Sequence, residues 1–140
     1  MTQINYEIIP GEGLEQIKIG MSTEQLKQVL GEPDEIENLD DEFFDDVCEA
    51  IWHYHHYFIY PVIDLDDNII VSIMCDHPDA TLKKVKLMTM SVPELKKHLK
   101  NCGAKTIETD EECIECPGFG LHAMLDGDKI DLLDIDASGL

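Results

Sequence analysis

The sequence predicts an α+β protein of two repeated units. Each unit is a short helical segment followed by antiparallel strands, with the helices packed on one face of the sheet. Three observations lead there. Two apolar stripes at helical spacing each open on a capping box. Each is followed by segments that alternate apolar and polar residues, as half-buried strands do. A shift of 69 residues carries Met21-Ser22 onto Met90-Ser91 and Leu26-Lys27 onto Leu95-Lys96, and self-similarity at a fixed spacing points to duplication. The 140 residues then divide into 1–80, with an acidic loop at 32–49, and 81–140. The two units either stand apart or share one continuous domain.

In chain order, Ser22 and Gln25 form the first capping box: hydroxyl and amide satisfy backbone N–H groups at the helix start. Leu26, Val29 and Leu30 make the stripe, and Gly31 and Pro33 end a helix over 23–30. Residues 51–60 alternate. Ile51, His53, His55, Tyr57 and Ile59 share one face of the expected strand; Trp52, Tyr54, His56, Phe58 and Tyr60 share the other. Residues 62–65, the turn Asp66-Asp67-Asn68 and residues 69–75 read as a hairpin. Ser91 and Glu94 cap the second helix, with Pro93 in its first turn and Leu95, His98 and Leu99 on its stripe. Residues 114–116, 120–125 and 130–135 complete the second set of strands.

Charge narrows the function. Thirty Asp and Glu stand against ten basic residues, all lysine, for a formal net charge of −20. Nucleic acid and anionic membrane surfaces would repel such a chain. With 44% hydrophobic residues it is not an acidic disordered chain. The charge is also lopsided. No Lys lies between Lys27 and Lys83, a stretch with 15 acids, whereas seven of the ten lysines fall within 83–105. The densest acids lie in 32–49. This loop reads either as solvated surface or as a partner-binding segment, with Phe43 and Phe44 as its apolar anchor. The candidate contact residues are Asp40, Asp41, Glu42, Phe43, Phe44, Asp45, Asp46 and Glu49, with His53, His55 and Tyr57 on the adjoining strand.

Other chemistry is weakly marked. Cys113-x-x-Cys116 has metal-ligand spacing, and Cys75, His77, His53, His55, His56 and His122 could add donors. A second Cys-x-x-Cys pair is missing, so no metal or cofactor is assigned, and the alternative is buried, inert thiols. Glu111, Glu112 and Glu115 around the motif oppose thiolate chemistry. Asp64-x-Asp66-x-Asn68 lacks the later glycine and glutamate of a calcium loop. Phosphate-binding, nucleophile-elbow and zinc-protease motifs are absent. The chain is expected not to be an enzyme. The five cysteines are an odd number, no signal peptide is visible, and no apolar run could span a bilayer, so a cytoplasmic location with reduced thiols is expected.

The run Pro10-Gly11-x-Gly13-Leu14-x-x-Ile17-x-Ile19-Gly20-Met21-Ser22, with Leu26, Leu30-Gly31-x-Pro33 and Trp52-x-Tyr54, resembles the SmpA/OmlA (BamE-like) module over residues 10–75. The expected tandem is similar to the β-lactamase-inhibitor-protein architecture. The resemblance implies a helix followed by an antiparallel sheet, and a role in binding other proteins. The signal and lipobox of the outer-membrane members are lacking. Size, acidity and this resemblance together point to an immunity protein of a bacterial toxin–immunity pair, covering a basic nuclease-type toxin domain. A metal-binding Cys/His protein or small enzyme, and an adaptor domain of unknown role, are the alternatives.

Overall fold

The computed structural model describes residues 3–41 and 44–137, without the side chains of residues 40, 41 and 44–47. Both helices form where capping chemistry places them. α1 spans Thr23–Leu30 and α2 spans Val92–Asn101. Each opens on its serine, whose hydroxyl accepts from the N3 backbone N–H (Gln25 or Glu94), while the N3 side chain reaches back to the serine N–H. α1 stops at Gly31, whose φ of 82° suits a residue without Cβ.

The described residues form ten strands in chain order: β1 (Glu35–Asp41), β2 (Phe44–His53), β3 (Ile59–Asp64), β4 (Ile69–Cys75), β5 (Thr81–Leu82), β6 (Val85–Lys86), β7 (Glu108–Thr109), β8 (Cys113–Glu115), β9 (Leu121–Asp126) and β10 (Lys129–Asp136). Eight of them make one antiparallel sheet in the order β1-β2-β3-β4-β10-β9-β8-β7, and β5 pairs with β6 as a separate ribbon. The β3–β4 hairpin turns through Asn68, which takes a positive φ of 55°, a conformation its short polar side chain tolerates.

This architecture corrects three expectations. The two repeated helix-plus-strand units do not form: the molecule is mainly one large sheet with two short helices. β1 and β2 are seven and ten residues long, whereas β7 and β8 have two and three. Capping boxes are local signals that recur wherever a helix starts, so their alignment carried no information about the sheet. The pairing of β4 with β10, Cys75 opposite Leu133 and Ile73 opposite Ile135, joins what the sequence divides and removes two exposed strand edges. Second, the described part of 32–49 is not a loop: most of it lies in β1 and β2, which pair as a hairpin at one edge of the sheet. Third, 51–60 is not one strand. It breaks into the end of β2, a turn at 55–58 and the start of β3. Phe58 has a φ of 57° there, so the chain reverses and Ile59 enters the core.

The register sorts the sheet into two faces. Ala50 opposes Ile63, Ile59 opposes Cys75, Cys75 opposes Leu133, Leu133 opposes Ala123, and Ala123 opposes Ile114. All are buried, and they share one core cluster with Leu26 and Leu30 of α1 and Leu95 and Leu99 of α2. The N-terminal segment closes this side. Gly11 N–H donates to the Gly120 carbonyl at 3.1 Å. A Cβ at Gly120, where φ is 87°, would collide with the Gly11 backbone.

Candidate functional site

The other face of the sheet is the candidate site. Its rows run Tyr60–Met74–Asp134–His122 and Val62–Ser72–Asp136 across β3, β4, β10 and β9. Towards the β1 edge the same face continues through Ile51, Glu49, His53, Glu35 and Glu37. Most of these side chains are half-buried, and the edge acids Glu35 and Glu37 are exposed. Strands β1–β4 contain no lysine, so this half of the face is acidic without compensation.

A cavity of about 260 Å³ opens on it, lined by His53, Tyr60, Met74, Asp76, Asp131 and Leu132. One carboxylate oxygen of Asp76 and one of Asp134 are buried without a hydrogen-bond partner. Burial raises the Asp76 carboxyl above its ordinary range; the Tyr60 hydroxyl, which donates to it, and His77 pull it down, while Asp131 pushes it up. Burial likewise raises Asp134, against His122 and with Asp136. Tyr60 itself is pushed up to about 12, first by burial and then by the charge of Asp76. An acid that loses more hydration than its hydrogen bonds replace resists ionisation.

Beside the cavity, two imidazoles meet two carboxylates. Glu35 pairs directly with His53 across β1 and β2, so both point to the open side. Asp34 N–H donates to the His53 carbonyl at 2.8 Å, and the His55 N–H donates to Asp34 Oδ2 at 2.8 Å. This clamp folds the turn so that His55 lies over the same spot. The His53 and His55 rings stack at 5.5 Å between centroids, and each meets the Tyr60 ring edge-on. His53 Nε2 lies 3.2 Å from Glu37 Oε1, and His55 Nε2 lies 3.8 Å from Glu35 Oε2.

Of the sequence-derived contact residues, the structure brings His53 and His55 together, keeps Glu49 on the same face of β2 but four residues away, opposite Asp64, and places Tyr57 elsewhere. Tyr57 lies in the turn, packs against the core, and its carbonyl accepts from the Tyr6 hydroxyl at 2.7 Å. Asp40, Asp41, Phe44, Asp45 and Asp46 lie on β1 and β2, but their side chains are outside the described residues. Glu42 and Phe43 are outside them altogether.

The cysteine-centred metal set does not assemble. Cys113 is half-buried, near Asp110 and Glu115, whereas Cys116 is buried in the core. His122 is used at both nitrogens: Nδ1 accepts from the Cys116 N–H at 3.2 Å, which leaves Nε2 to donate to Asp136 at 2.8 Å. His77 accepts from the Asp79 N–H and stacks on Tyr6. Among the described residues, Glu35, His53 and His55 form the group of His, Cys and acidic donors close enough to hold a metal ion.

Sequence reasoning reached Glu35 and Glu37 only as acids of the segment 32–49, and missed Asp76, Asp131 and Asp134 as site residues. A signal was present for Asp134, which alternates with Ile135 and Asp136 as in a strand with one acidic face; Asp131 stands an odd three residues away and reaches the cavity only through the bulge between Ile130 and Leu132. No helix of the described residues is long and apolar enough to cross a membrane. No protein-family model, curated protein or solved structure matches the chain.

Proposed function

We propose that this chain is a non-enzymatic binding protein that lays the open face of its sheet against a basic partner. In its sharpest form it is a cytoplasmic immunity protein that covers the basic substrate groove of a nuclease-type toxin. The observation that carries the reading is the acid-lined cavity with the unpartnered oxygens of Asp76 and Asp134 beside it. A buried acceptor without a donor costs on the order of 1–3 kcal/mol. An arginine or lysine from a partner would supply the donor as a charge-assisted hydrogen bond. The acid-rich β1–β2 edge extends the same field and would speed encounter. The resemblance of residues 10–75 to a protein-binding module points the same way.

The test is a pull-down of the full chain with the product of the neighbouring upstream gene, followed by stopped-flow association at low and high salt. The association rate should fall at least about tenfold as salt screens the edge acids. Asp76→Asn with Asp131→Asn should weaken binding at least about tenfold, and reversing Asp41, Asp45 and Asp46 to lysine should weaken it several-fold. A complex indifferent to salt and to all five substitutions would overturn the reading.

A further inference from the structure

We propose that Glu35, His53 and His55 form a binding site for a divalent transition metal of the zinc type, at the junction of the β1–β2 edge and the open face. This goes beyond the partner reading and does not depend on it, because the donors all come from one chain.

One donor atom from each of the three residues lies within 4.8 Å of the other two. Around a tetrahedral zinc with bonds of about 2.0–2.1 Å, neighbouring donors stand about 3.4 Å apart. The His55 Nε2 to Glu35 Oε2 separation of 3.8 Å is already close to that span. The remaining contraction is within reach of side-chain rotation, because the His55 and Glu35 side chains are 56% and 65% exposed. His53 is the fixed member: its side chain is 19% exposed and Glu37 Oε1 lies 3.2 Å from Nε2. With Nε2 held by Glu37, His53 would ligate through Nδ1, and a carboxylate on the ring's other nitrogen fixes its rotation and strengthens metal binding. The backbone contributes too, through the Asp34 clamp on His53 and His55.

The donor chemistry selects the ion. Two imidazoles and a carboxylate suit zinc and its neighbours, whereas calcium and magnesium prefer oxygen alone. Three protein donors leave a fourth position for water. The net charge of −20 favours any cation.

The decisive experiment is calorimetric titration of the full chain, stripped with chelator, with zinc chloride at neutral pH. Cobalt(II) absorption serves as a second readout. One equivalent should bind, without the intense near-ultraviolet band of thiolate ligation. His55→Gln and Glu35→Gln should each weaken binding at least about tenfold. Both side chains are exposed, so neither substitution endangers the fold, and an unchanged melting temperature without metal checks this. Cys113→Ser with Cys116→Ser should leave binding intact. Absence of saturable binding at one equivalent, retention of full affinity in both His55→Gln and Glu35→Gln, or loss in the cysteine double variant would each overturn the site.

Discussion

Ile73 and Met74 are neighbours in β4, yet they belong to different environments. Ile73 faces the helices, is fully buried and lies opposite Ile135. Met74 lines the open cavity, half-exposed, opposite Tyr60 and Asp134. The same contrast runs across the whole sheet. One face buries branched apolar residues against two helices. The other gathers half-buried aromatics and acids, with two carboxylate oxygens unpartnered. A face built for stability has no reason to keep unpaired buried acceptors, since each costs free energy. The difference assigns the folding energy to one side of the sheet and leaves the other as the proposed binding face.

The largest way to break that contrast is to empty both positions. Ile73→Ala should destabilise the fold by about 3 kcal/mol, the range for a fully buried large-to-small change. Met74→Ala, one residue away, should cost about 1 kcal/mol or less, because its side chain is still partly in water. Thermal melting of the two variants checks this. At roughly 3–4 °C per kcal/mol for a chain of this size, the two should separate by about 6 °C or more. Equal losses would show that the open face is as much a core as the other.

A smaller effect has the opposite sign. Burial raises the Asp134 carboxyl in the folded state, so the folded protein holds that proton at a pH where the unfolded chain has released it. Stability then falls as pH rises from about 4, the unfolded value, through the folded value, and the whole penalty is present at neutral pH. Asp134→Asn keeps the shape and removes the charge. It should raise stability at pH 7 by about 1 kcal/mol, read as a melting temperature higher by about 3 °C, and flatten the acid side of the stability profile. The same variant should bind the partner less tightly, the trade expected when a site residue is kept against stability. A loss of stability at pH 7 would show that Asp134 serves the fold.

Local signals were legible in the sequence, and long-range ones were not. Ser22 with Gln25 and Ser91 with Glu94 place both helix starts, because a cap is decided within four residues. Asp66-Asp67-Asn68 places the β3–β4 turn for the same reason. The alternation at 51–60 misled because a tight turn of four residues preserves a period of two by accident. Phe58 at positive φ shows that tertiary contacts impose that turn against the preference of an aromatic residue. The pairing of β4 with β10 joins residues some 60 positions apart, and neither strand carries a mark that names its neighbour. The candidate site depends on that same information. His53 and His55 were visible as a pair, but Glu35 joins them only through the β1–β2 register, and the segment holding it reads as an acidic loop, solvated or partner-binding, with nothing to set Glu35 beside the histidines.

The smallest test uses the two faces as they divide a single motif. In Cys113-x-x-Cys116, Cys113 is half-buried beside acids and Cys116 sits in the core. Burial, then the charges of Asp110 and Glu115, hold the Cys113 thiol above its ordinary range. Burial alone pushes Cys116 up to about 11. The reactive species is the thiolate, so both should be slow towards iodoacetamide at pH 7.5, for different reasons. Cys48 is exposed and should be alkylated first. Cys113 should follow at higher pH, as its thiolate forms. Cys75 and Cys116 should react only on unfolding, because neither can be reached while the helix-covered face stays shut. Mass spectrometry of peptides from a timed labelling series reads the order. Early labelling of Cys116 in the native protein would mean that the buried face opens, and the division between a folding face and a binding face would fail at that end of the sheet.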